Sequence, residues 1–356
     1  MTHIVSRPPS SRSVALWLFV CCAMIIAMIV IGAITRLTES GLSMVEWRAT
    51  MDMLPPLSTQ AWQDAFTKYQ QTPEFIKINH AMTLDDYKGI YFWEWLHRLL
   101  GRLIGLVYVL PLVYFWVRGA IPSRLKPRFL VFLALGGLQG FIGWYMVKSG
   151  LINEPRVSHY RLALHLGTAF ILLALLWVQA LAMWPRTQQI AHHYSLPSLR
   201  QYVPHTLISL VLICITIIWG AFVAGLDAGM MYNEFPTMGG KLIPAELLHH
   251  TPWWQNFLTN HASVQWLHRV LGTLSFVTVF SLALRACSSR NYVIRQCGVG
   301  LAIIITLQFM LGIATLLSVV EIHLATLHQS GAVLTLLMLL TTLAFITYDR
   351  DNPHVA

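Results

Sequence analysis

The chain has 356 residues, of which 56% are apolar and only 11% charged, and its formal charge is +9. So little charge cannot cover the surface of a water-soluble protein of this length, which excludes a soluble globular class. The positive balance could suggest nucleic-acid binding, but the basic residues gather in a few short loops, so nucleic acid is set aside as a partner.

In chain order, a polar tail (1–13) carries Arg7 and Arg12, and apolar runs follow at 14–35, 91–117, 129–147, 159–183, 205–226, 262–284, 296–319 and 323–347. Each is long enough to cross a bilayer as a helix. The first exceeds a signal-peptide core and reads as a retained span. The pattern predicts an all-α integral membrane protein of eight transmembrane helices, with membrane lipid as its surroundings and both termini on one side. The tails and the loops between runs two and three, four and five, and six and seven hold Arg118, Arg124, Lys126, Arg128, Arg186, Arg200, Arg285, Arg290, Arg295 and Arg350. Their only acids are Asp349 and Asp351, so this side is cytoplasmic. The reading is a multi-pass protein of the inner (cytoplasmic) membrane, with residues 36–90 and 227–261 as its two long outer loops. The first of these, rich in aromatic residues, is expected to contain short interfacial helices. The five cysteines lack zinc-type spacing and read as unpaired thiols.

Two segments repeat. Trp95-Leu96-His97-Arg98-Leu99-Leu100-Gly101 returns as Trp266-Leu267-His268-Arg269-Val270-Leu271-Gly272. Leu138-Gln139 with Gly143 returns as Leu307-Gln308 with Gly312, and His165 returns as His328. Matches in one order at a nearly constant offset indicate a duplication. Four helices per unit keep both units in the same orientation, so the prediction is two parallel four-helix-bundle repeats. The N-terminal repeat covers 14–183, a cytoplasmic linker 184–204, the C-terminal repeat 205–347 and a cytoplasmic tail 348–356.

An ionisable residue inside a span is costly and points to function. Here four histidines form two related pairs, His97 with His165 and His268 with His328. Each is read as lying about six residues inside a helix that enters from outside, roughly 9 Å deep. Two imidazoles from facing helices are a standard way to hold a heme iron, whereas zinc would need more ligands than the spans offer. His159 and His323 read as interfacial, and the loop pairs His192-His193 and His249-His250 rank lower still. Arg98 and Arg269 follow the ligand candidates, and their guanidinium groups could meet heme propionates or lipid phosphate; the sequence leaves both open. The halves differ at one position with chemical weight. Glu94 stands three residues before His97, and its equivalent before His268 is Gln265. A carboxylate can move protons and an amide cannot, so the reactive site is assigned to the first half, with an ordinary first-turn acid as the alternative.

The segment Gly32-Ala33-Ile34-Thr35-Arg36-Leu37-Thr38-Glu39-Ser40-Gly41-Leu42-Ser43, followed by Trp47, resembles the signature after the first helix of heme A synthases. Glu94-Trp95-Leu96-His97-Arg98-Leu99-Leu100-Gly101-Arg102 resembles that family's second-helix motif, and the likeness runs over nearly the whole chain. The resemblance implies oxidation of a ring methyl of heme O to a formyl, giving heme A for terminal oxidase assembly. It implies heme b bound by His268 and His328, and heme O as substrate between His97 and His165, close to Glu94. Its implied partners are a heme O synthase and cytochrome oxidase assembly factors, and a homo-oligomer is compatible with it. The outer loops carry no cysteine pairs, so the chain resembles the class without them. A membrane cytochrome b is the competing class, although four histidines near one face suit a transmembrane electron wire poorly. A transporter would not need the paired imidazoles.

Overall fold

The computed structural model describes residues 10–46, 53–150, 157–184 and 199–347. The tail residues 1–9 and 348–356, Trp47, and most of the cytoplasmic linker with His192-His193 lie outside them. Eight helices are long and apolar enough to span a membrane, and all the predicted runs are among them. They are α1 (Ser10–Leu37), α4 (Leu84–Val117), α5 (Lys126–Gly150), α6 (His159–Met183), α7 (Val203–Gly225), α8 (His261–Cys287), α9 (Tyr292–Leu317) and α10 (Ile322–Thr347). Apolar side chains such as Leu110, Val113, Val131, Val211, Val277 and Ile303 remain on the outside, where hydrocarbon and not water is the solvent.

Two short helices, α2 (Thr59–Tyr69) and α3 (Pro73–Lys77), fill the first outer loop, as expected for 36–90. Ser58 and Thr72 cap them by accepting from Ala61 N–H and Phe75 N–H. The start of α4 differs from the hydropathy reading. It begins at Leu84, where Thr83 and Asp86 form a reciprocal capping box. Its first two turns contain Asp85, Asp86 and Lys88 and project outward as helix, which a search for apolar runs passes over. His97 therefore sits in the fourth turn of α4, while the other three histidines sit about two turns in.

The two halves pack alike. In the first half α1 packs on α4 and α6, and α5 on α6; in the second, α7 packs on α8 and α10, and α9 on both α8 and α10. The halves meet through α1 against α10, α6 against α7, and α6 against α10. The first two contacts are exchanged, and the third maps onto itself, when the halves are interchanged. That is the pattern of a two-fold relation between the halves. Val14, Leu18, Cys22, Leu173, Leu176, Leu336 and Leu339 form the shared apolar core. Three polar contacts fasten it: Gln329 Nε2 donates to Ile29 O at 3.1 Å, Trp177 Nε1 to Thr341 Oγ1 at 2.9 Å, and Arg36 pairs with Asp227 at 2.6 Å. All five cysteines are free thiols, in keeping with their expected role as packing residues.

Candidate functional site

The duplicated helices bring the histidines together in the two expected pairs. The ring centroids of His97 and His165 are 6.5 Å apart, and those of His268 and His328 are also 6.5 Å apart. Two imidazoles bound to one metal atom through nitrogens about 2.0 Å from it would have ring centres roughly 6 Å apart. Both pairs have room for such an atom. Among the described residues no three His, Cys, Asp or Glu side chains converge on a metal-chelating point. Each pair would offer two imidazole nitrogens to a metal, a donor set that suits a porphyrin iron better than a bare ion.

Each ring also lies on a glycine of the preceding helix. A Cβ placed on Gly32 would stand 3.1 Å from His97 Cε1, on Gly143 3.1 Å from His165 Cε1, on Gly220 3.0 Å from His268 Cε1, and on Gly312 2.8 Å from His328 Cε1. Four repeats of one contact show that the bare backbone is what admits the ring. Gly143 and Gly312 stand out in the sequence as part of the repeat. Gly32 stands out only as the first residue of the family-like signature and Gly220 not at all, although Gly32-Ala33 and Gly220-Ala221 extend the repeat to the first helix of each half.

The rest of the repeated motif turns the other way and holds the outer loops. Trp95 Nε1 donates to Met53 O at 3.3 Å, and Trp266 Nε1 to Leu242 O at 3.1 Å. Arg98 donates to Met44 O and Glu46 O, both at 3.0 Å, and Arg269 to Tyr232 O, Glu234 O and Thr237 O at 2.8–3.0 Å. The sequence offers two partners for these guanidinium groups, propionate or lipid phosphate, and the contacts observed are with a third, the loop backbone. Arg98 is only 8% exposed, so it does not snorkel.

Glu94 is 3% exposed and ten residues into α4, which removes it from the ordinary first-turn acids. Its carboxylate accepts from Arg98 Nη2 at 2.5 Å, Ser43 Oγ at 2.7 Å and Met44 N–H at 2.7 Å. Ser43 closes the segment after α1 that carries the family-like signature, and Met44 follows it directly. Gln265 instead donates to Tyr232 O at 3.0 Å and Gly229 O at 3.4 Å. Both positions tie the ligand-bearing helix to its outer loop, but only the first does so with a buried charge. Of the remaining histidines, His323 is exposed beside Glu321, and His159 packs on Phe222 and Gly225 where the halves meet. His250 contacts Thr259 at the outer surface.

The outer loop over the first site holds a second buried acid. Glu74 is 6% exposed and accepts from Tyr69 Oη at 2.9 Å, and Asn79 Nδ2 donates to that same hydroxyl. Burial, followed by the neighbouring charges of Glu94 and Glu39, raises the Glu74 carboxyl from 4.5 to about 8, against the lowering effect of the Tyr69 bond. The folded loop therefore binds a proton that the unfolded loop has released between those two values. The stabilisation that this group contributes is full below pH 4.5 and declines as pH rises toward 8, with a limiting slope of about 1.4 kcal/mol per unit. Proteolysis at Lys68 and Lys77 in the native protein should accelerate across that window, and Glu74→Gln should flatten the profile. A pH-independent wild-type profile would contradict this.

The family model described as cytochrome oxidase assembly protein (COX15-CtaA) matches residues 15–340. Heme A synthase of Rhodospirillum centenum is 50% identical over 336 residues, covering 93% of this chain and 88% of that protein. Heme A synthase of Maricaulis maris is 46% identical, covering 91% and 93%, and that of Wolbachia pipientis wMel is 42% identical, covering 96% and 94%.

Proposed function

The chain belongs to the COX15-CtaA family of cytochrome oxidase assembly proteins, and from that membership we propose that it works as a heme A synthase with one reactive and one resident heme site. It is a multi-pass membrane oxidoreductase of heme A biosynthesis. The observation that supports the site assignment is the two half-buried imidazole pairs at equal spacing, which differ in a buried carboxylate three residues before one of the histidines.

In this reading His268 and His328 hold heme b, and His97 and His165 take heme O as substrate. A bound heme would supply the redox chemistry that carries a ring methyl to a formyl. The protein's own part is positional. Gly32 and Gly143 set the two imidazoles of the reactive site, and the spans exclude water from it. Glu94 holds the outer segment against α4 and is the carboxylate nearest in sequence to a ligand for moving a proton. Arg98 and Arg269 act on the hemes through the loops they fasten and through the positive charge they place at the outer edge, where propionates would lie. A heme O synthase would supply the substrate, and cytochrome oxidase assembly factors would receive the product.

Expression beside a heme O synthase in a host without heme A, with chromatography of the extracted pigments, tests the activity. Heme A should appear only when both proteins are present, and its failure to appear would reject the reading. The basic loops support a topology with both termini in the cytoplasm and both long loops outside the inner membrane. A single cysteine introduced at an exposed outer-loop position, such as Leu57 or Leu242, should react with an impermeant thiol reagent in intact cells. Labelling seen only after lysis would invert the topology.

A further inference from the structure

The two histidine sites share the sequence Leu-Gln, with a glycine four residues after the glutamine, on α5 and α9. Residues four apart share a helical face, so Gln139 and Gly143 both face α6, and Gln308 and Gly312 both face α10. What the glutamines meet is not the same. Three residues after each histidine, and so on the same face, the first half has Thr168 and the second has Gly331.

On the first side the Gln139 amide is held at both ends. Its Nε2 donates to the His165 carbonyl at 2.9 Å, and its Oε1 accepts from the Thr168 hydroxyl at 2.5 Å. A backbone carbonyl only accepts, so this bond fixes which end of the amide is nitrogen. The same nitrogen then lies 3.5 Å from His165 Nε2, at the outer limit of a hydrogen bond. The His165 Nδ1 atom is buried without a hydrogen-bond partner among the described residues.

On the second side the arrangement reverses. Gln308 Oε1 is buried without a donor among the described residues and lies over Gly331, where any Cβ would collide with it. The Gln308 backbone carbonyl instead stands 3.2 Å from His328 Nδ1. The carbonyl can only accept, so His328 carries its proton on Nδ1 and leaves Nε2 as the ligand atom. An acceptor behind a ligating imidazole raises its basicity and fixes its ring. A donor aimed at the nitrogen that would ligate competes with the metal for its lone pair.

We propose that Gln139, held by Thr168, is a positioning residue that makes the N-terminal imidazole pair the releasable one of the two. This rests on the reading that the N-terminal pair takes heme as substrate. A substrate site must let its ligand leave after reaction, whereas a resident site must not. The single exchange of Thr168 for Gly331 at equivalent positions builds that difference into a duplicated frame. Gln139 does not carry out the oxidation; it acts through His165.

The test follows release of ferric heme b from the purified full-length protein into an excess of heme-scavenging apoprotein. Two phases are expected, the fast one lost in His97→Ala and the slow one lost in His268→Ala. Gln139→Leu and Thr168→Val should each slow the fast phase about tenfold, the low end of what partners behind a metal ligand contribute. Thr168→Ser, which keeps the hydroxyl, should release at the wild-type rate, and the slow phase should be unaffected in all three. General damage to the bundle would speed release, so slowing separates positioning from a structural role. Unchanged or faster release in both Gln139→Leu and Thr168→Val would overturn the proposal. If His97→Ala leaves the fast phase in place, it is the N-terminal substrate-site reading that fails.

Discussion

Replacing His268 or His328 with alanine is expected to remove the resident heme altogether while leaving the protein in the membrane. Both residues are half-buried, their ring centroids are 6.5 Å apart, and each ring rests on a glycine of a neighbouring helix. Among the described residues no third His, Cys or carboxylate joins the pair. The bundle itself is held elsewhere. Its apolar core and the Gln329, Trp177 and Arg36 contacts between halves involve neither histidine. Loss of one imidazole should therefore abolish the low-spin signal of the C-terminal site without unfolding the chain. Optical and electron paramagnetic resonance spectra of the purified variants, at matched protein, check this. Full heme retention in both variants would reject the assignment of these residues as ligands. Gly220→Ala and Gly312→Ala should have intermediate effects, because the ring must move by a few tenths of an ångström but keeps its nitrogen.

How much of this was legible in the sequence depends on how local each cause is. The spans follow from hydropathy alone, because a bilayer demands long apolar runs. The start of α4 was missed because its first turns are polar and owe their helix to a cap formed by Thr83 and Asp86. The histidine pairs stood out because the chain states them twice. Their glycine seats did not, since glycine is common in membrane helices and only Gly143 and Gly312 fell inside a visible repeat. Apart from Glu94, one turn before Arg98, the partners of Arg98 and Arg269 have no mark in the sequence. They are backbone carbonyls of loops tens of residues away, and no side-chain pattern marks a carbonyl as an acceptor. For Glu94 the contrast with Gln265 is legible but the burial is not, since it depends on the segment after α1 folding back over α4.

That burial changes what Glu94→Gln tests. The variant is expected to lower heme A production by at least ~100-fold, the low end of the range typical of general acid–base assistance. It also breaks a buried ion pair, and removing one partner of such a pair typically costs about 3–5 kcal/mol. The two contributions can be separated, because Arg98 keeps its bonds to Met44 O and Glu46 O when Glu94 is neutralised. Ser43→Ala weakens the attachment of the outer segment to α4 while leaving the carboxylate in place. If Glu94 serves the reaction, Ser43→Ala should keep most of the heme A output while Glu94→Gln loses it, with heme b content equal in both. If Glu94 only fastens the loop, both variants should lose output in proportion to loop loosening, read from proteolysis at Lys68 and Lys77. Gln265→Glu is not a mirror-image control, since it would set a carboxylate against the Tyr232 and Gly229 carbonyls that the amide now serves. Gln265→Leu is the better comparison, removing those bonds without adding charge, and it should reduce heme A output far less than Glu94→Gln. Near-normal heme A from Glu94→Gln at matched expression would leave the duplicated site without a chemical difference at this position, and the choice of reactive half would then rest on Gln139 and Thr168.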